Sequence, residues 1–178
     1  MRYSFVHATA VCAVLALAGP KPAAAQSSIL NQELLKDWTE MKDTMMKLAN
    51  EMPADKYNFR TTPAQRDFGE QVTHVAGANV MNLNFLRGKA TPPVINRKAT
   101  SKADAMKAMA DSFDYGTALI KEQTDRSMME IVQTNAFLGP SSRARVIYFL
   151  LGHSWDIYGQ MAVYLRLNGG VPPASQRP

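Results

Sequence analysis

At 178 residues, with 46% hydrophobic content, the chain has the length of one domain with a real core, and no repeat with a period of 20–50 residues is visible. Its 20 basic residues are scattered among 15 acidic ones rather than gathered in a stripe, which argues against nucleic acid as a partner. Its one cysteine, Cys12, falls in the amino-terminal segment, so the rest of the chain has no residue for disulfides or thiol catalysis.

Arg2, the short apolar run from Val11 to Ala18 and the small residues Ala23-Ala24-Ala25 before Gln26 read as a cleavable secretory signal over residues 1–25. The run is shorter than the ~20 residues that cross a bilayer, and no longer uncharged run follows, so no membrane span is expected. The expected location is periplasmic or secreted. Removing Arg2 and Lys21 with the signal leaves a net charge of about +3 on a single domain over residues 26–178.

From Ser27 onward, Leu30, Leu34, Trp38, Met41, Met45 and Leu48 recur at helical spacing, with Ser27 or Ser28 available as a cap and Pro53 as a stop. The polar stretch from Ala54 to Thr62, with Tyr57 and Phe59, reads as a connection across the bundle. Thr62, Pro63 and Gln65 have the capping-box arrangement and predict the start of a second helix there. That helix carries Phe68, Val72, Val75, Asn79, Leu83 and Leu86 on one stripe. An adjacent stripe of His74, Gly77, Ala78, Met81 and Phe85 is also largely apolar, and its small residues predict close approach of another helix. After Gly88 and Pro92-Pro93 comes a linker. Ser101 to Asp104 then opens a third helix with a narrower face of Met106, Met109, Phe113 and Ile120, expected to be more exposed than the second and fourth helices.

A short helical turn and a loop are expected between Thr124 and Pro140. From Ser141 or Ser142 to Gly169 the chain predicts a long helix, about 27 residues or roughly 40 Å. One stripe comprises Val146, Leu150, His153, Ile157, Met161 and Tyr164, while Ile147, Leu151, Trp155, Tyr158 and Leu165 fill much of the remaining circumference. A helix apolar nearly all round is expected inside a bundle. Four helices and no convincing strand predict an all-α four-helix bundle.

His74 and His153 are the only histidines beyond the signal, and both are placed near the middle of buried helices. Facing imidazoles in a bundle interior can bind zinc, nickel or a similar ion, yet catalytic zinc normally has three protein ligands and an open position. A buried histidine is often only a hydrogen-bonded core residue, and two ligands are too few for such a site. Met41 with Met45, and Met106 with Met109, have the chemistry for Cu(I), but apolar stripes already account for them.

The segments FGEQVTHVAGAN and HSWDIYGQMAVYLRLNGGVPPAS, with GHSWDIYGQ the most specific part and with the lengths between them, resemble the DinB-like superfamily. The resemblance implies a bundle of unusual helix order, frequent homodimers and three histidines around one divalent ion. It also implies thiol-dependent transferases or isomerases among the members, beside many with no assigned reaction. In that pattern the first two ligands match His74 and His153, and the third falls one turn later, at Ile157. A branched hydrocarbon there removes a ligand and leaves the metal site incomplete. Asp156 is a weak substitute because its i+3 offset turns it away from the His153 direction. Gln160 reads as a pocket residue or a polar group hydrogen-bonded to the second helix.

Two functions follow. The first is an exported DinB-like protein with a decayed metal site, serving as a small-molecule binder or a structural unit. The alternative is a metal-dependent hydrolase or transferase using His74, His153 and a non-histidine third ligand. Thiol transfer ranks low for an exported chain, because the small thiols involved are mainly cytoplasmic.

Overall fold

The computed structural model describes residues 29–98 and 101–176; the expected signal segment and the Ser27 or Ser28 cap lie outside the described residues. Four long helices form the body: α1 (Ile29–Glu51), α2 (Phe68–Leu83), α3 (Lys102–Lys121) and, after the short α4 (Asp125–Met128), α5 (Arg143–Leu167). Both α1 and α2 pack against α3 and α5, so successive helices α1 and α2 occupy a diagonal and the connection between them crosses the bundle. The expected four-helix bundle is present. No described helix is long and apolar enough to cross a membrane.

Trp38 shows why α1 and α3 approach so closely. Its indole is fully buried, stands 4.9 Å from the Phe113 ring between centroids, and donates from Nε1 to the Phe113 carbonyl at 2.9 Å. A Cβ at Gly116 would lie 2.7 Å from that Nε1, so only glycine leaves room for the ring. The ends of these helices are tied by complementary groups. Asn31 donates from Nδ2 to the Ile120 and Gln123 carbonyls, and Lys102 donates from Nζ to the Asn50 and Met52 carbonyls at the end of α1.

The second helix starts later than Thr62 and Gln65 predicted. Asp67 is its cap, accepting from the Glu70 backbone N–H at 2.7 Å while the Glu70 carboxylate accepts from the Asp67 N–H at 2.8 Å. Thr62 and Gln65 close a single turn that goes no further. Backbone bonds from Phe68 N–H to the Phe59 carbonyl and from Gly69 N–H to the Tyr57 carbonyl hold the incoming chain against the helix start, which sets the boundary at Asp67. Tyr57 is buried and donates to the Ala49 carbonyl at 2.7 Å, as suits a connection lying across the core.

The carboxy-terminal half departs from expectation in three places. Between Thr124 and Pro140 the predicted helical turn is present as α4, but a minimal antiparallel ladder also forms, β1 (Ile131–Val132) pairing with β2 (Ser141–Ser142). Ser142 caps α5 as predicted, and Gly169 adopts φ +78° just past its end. The helix, however, is not enclosed all round: Tyr148 is 74% and Trp155 54% exposed. Of the long helices only α1 and α2 pack closely against it, so its outer face stays in solvent. The third helix is correspondingly well covered, because small residues omitted from its predicted stripe, Ala105, Ala108 and Ser112, are buried against α1 and α2. The predicted copper-suited methionines Met41, Met45 and Met109 are core residues, with Met106 half-buried beside them.

Candidate functional site

His74 lies on α2 and His153 on α5, and the packing of these helices brings the two rings together edge to face, 5.0 Å apart between centroids and 77° between planes. Both are half-buried rather than sealed in the core. Phe149, one turn before His153, lies parallel to its ring at 6.2 Å, and Phe137 packs on Phe149 at 5.8 Å. The Nε2 atom of His153 is buried without a hydrogen-bond partner among the described residues.

Further along the α2–α5 seam, Gln71 donates from Nε2 to Gln160 Oε1 at 2.9 Å, and Gln160 donates from Nε2 to Asp156 Oδ2 at 3.2 Å. Gln160 is thus the polar link to the second helix that the sequence suggested. Asp156 is exposed, but its charge reaches both imidazoles.

Both imidazoles are disposed to be neutral. Burial lowers the His74 pKa to about 4, with further lowering by Arg66, His153 and Arg97 that outweighs the opposing effect of Asp156. Burial is also the main cause of a lowered pKa at His153, where Asp156 opposes and Arg66 adds to the effect.

Arg66 and Arg97 were not singled out in the sequence. With Arg60, Glu70, Thr73 and His74 they line an open cleft of about 340 Å³ beside the histidine pair. Arg97 reaches it from the connection after α2. Its carbonyl accepts from Thr73 Oγ1 at 3.2 Å, and its guanidinium lies directly on the helix at Gly77, where a Cβ would be 2.8 Å from Cζ. Gly77 on the second α2 stripe therefore admits an arginine, while His74 on the same stripe meets α5 and Met81 is 49% exposed. A glycine in mid-helix was a visible signal of close approach; the identity of the approaching group was not.

The donor set can be compared with a metal centre. Two imidazoles bound to one ion at ~2.0–2.1 Å have ring centres about 5 Å apart, as this pair does. The third position fails. Ile157, one turn from His153, is 2% exposed and belongs to the hydrophobic core. Among the described residues no group of three or more histidine, cysteine or carboxylate side chains is disposed around a common point. These residues do not fit a three-histidine centre.

A family model described as the DinB superfamily matches residues 37–161. The fold is similar to that of a DinB-like protein from Bacillus cereus, with a TM-score of 0.67 and 18% identity over 80% of this chain and 95% of that one. A DinB-like protein from Bacillus subtilis, YjoA, gives a TM-score of 0.62 and 13% identity over 82% of this chain and 99% of that one. No curated protein matches the sequence.

Proposed function

The chain belongs to the DinB superfamily, and from that premise we propose that it is an exported, small-molecule-binding member whose divalent-metal site is incomplete. The observation that carries this reading is the buried hydrocarbon of Ile157, one turn from His153, next to a facing His74–His153 pair whose His74 lines an open cleft. A hydrocarbon contributes no donor, so the pair lacks the ligand count of a catalytic zinc site. The cleft keeps the size and the convergent polar groups of a ligand pocket. Export is supported by the signal-like pattern of residues 1–25.

The test is metal content per chain, after exposure to zinc and nickel followed by dialysis, together with a small-molecule screen read at the His74 ring resonances. Substoichiometric metal and ligand-induced shifts at His74 are expected. One ion per chain, lost in His153→Ala, would replace this reading with a metal-dependent hydrolase or transferase. Asp156, whose charge acts on both imidazoles, is then the first candidate for the third ligand.

A further inference from the structure

The cleft beside His74 carries three guanidiniums and one carboxylate, and their partners differ. Arg60 is committed: its Nη2 lies 2.9 Å from Glu70 Oε2 and 3.3 Å from Asp67 Oδ2, and its Nη1 donates to the Gln65 carbonyl at 2.6 Å. The Glu70 carboxylate is used in turn by Arg60 and by the Asp67 N–H. Arg66 and Arg97 have no carboxylate within ion-pair distance among the described residues. The cleft therefore has two uncompensated positive charges.

Both residues are exposed, and both are tied to the bundle through their backbones. Arg97 is tied to α2 at its backbone, where its carbonyl accepts from Thr73 Oγ1, and its exposed side chain lies against the helix in the space that Gly77 leaves. Arg66 is anchored at its backbone, where its carbonyl accepts from the buried Tyr164 hydroxyl at 2.6 Å. Thr73 and His74, on the second turn of α2, complete the wall with a hydroxyl and a ring. Guanidinium forks match the two oxygens of a carboxylate or phosphate group.

We propose that this cleft binds a small molecule through an oxyanion group, a carboxylate or a phosphate, gripped by Arg66 and Arg97 and bordered by the His74 ring. The inference rests on the ligand-binding reading of the cleft and gives it a ligand class. Glu70 does not oppose the anion, because Arg60 neutralises it. Bound negative charge also favours the protonated imidazole, so occupancy raises the His74 pKa from its lowered value.

The test follows the ring resonances of His74 and the backbone amides of Thr73 and Arg97 in the full mature chain. Inorganic phosphate and succinate are titrated separately at constant ionic strength, with chloride as the reference and a set of neutral fragments in parallel. Saturable shifts with phosphate, succinate or both are expected, and the comparison identifies which oxyanion the cleft prefers. Arg66→Gln and Arg97→Gln, both at exposed positions, should each weaken binding about ten-fold, the scale of a lost charge-assisted hydrogen bond. Their thermal midpoints should remain unchanged. The proposal is overturned if neither anion gives a saturable shift, or if the double variant binds as tightly as the natural chain. Neutral fragments binding at His74 without the anions would leave the ligand-binding reading standing and remove this one; no response to any probe would remove both.

Discussion

Replacing Ile157 by histidine separates a lost metal site from a fold that never suited one. Ile157 is 2% exposed and packs in the core one turn from His153, so an imidazole there gives up hydrocarbon packing and buries a polar ring. Without metal we expect a loss of about 3 kcal/mol, the middle of the range for an unpartnered polar group in a core. The 5.0 Å spacing of the existing rings already suits two ligands on one ion, and the i+4 offset from His153 puts the new donor on the adjoining turn. Free zinc at about 100 times its dissociation constant contributes roughly 2.7 kcal/mol to the folded state, which nearly offsets the cost. The assay is urea unfolding of Ile157→His and of the natural chain, each with and without zinc. The variant should be weak without zinc and near-natural with it, the natural chain unmoved, and His74→Ala in the variant background should abolish the rescue. Equal zinc stabilisation of the natural chain, or rescue that survives His74→Ala, would refute the reasoning.

Acid should weaken the fold before the carboxylates titrate. The folded-state pKa of His74, about 4, lies below the ~6.5 of an unfolded imidazole, so the unfolded chain takes up its proton first as the pH falls. Stability is then full above about pH 6.5 and declines toward pH 4; solvent screening at this half-exposed ring reduces the loss to about 1 kcal/mol. Urea midpoints between pH 7.5 and 4.5 check this, and a midpoint rising with acid would contradict it. Gly116→Ala gains about 1 kcal/mol of helix propensity but drives a methyl into the Trp38 indole, so a net loss of about 1–2 kcal/mol is expected; calorimetry showing a higher Tm would contradict the close packing of α1 and α3. If the chain forms the homodimer implied by the family resemblance, the face expected to mediate it is the outer face of α5, where exposed Tyr148 and Trp155 border a groove of about 480 Å³ with Met41 and Leu151. Light scattering should find a dimer that Trp155→Asp converts to monomer, and an unchanged mass would move the interface elsewhere.

The stripe Phe68, Val72, Val75, Asn79, Leu83 and Leu86 was legible in the sequence because a buried helical face repeats every three or four residues whatever it packs against. The start of the same helix was not. Thr62 with Gln65 and Asp67 with Glu70 satisfy the same local capping rule, and the choice falls to backbone bonds from Phe59 and Tyr57, which come from the other side of the turn. The fourth long helix was misjudged for a related reason. Composition records that Tyr148 and Trp155 are apolar, but the number of neighbours left to cover them depends on how the other helices are arranged.

The histidine pair was legible as a coincidence of two residues on two mid-helix positions, whereas its surroundings were not, and the surroundings decide what the pair can hold. Arg97 is more than twenty residues from His74 in the chain and reaches it only because Gly77 lets a guanidinium lie on the helix. The positive charges of Arg66 and Arg97 make a proton less welcome at His74, and the same field opposes any cation brought to that ring. A missing donor at 157 and an uncompensated positive cleft therefore act in one direction. Each weakens a divalent ion at His74 and His153, and the cleft's charge attracts an anion to the neighbouring space. A working metal centre in this chain would have to overcome both, whereas an oxyanion ligand needs neither changed.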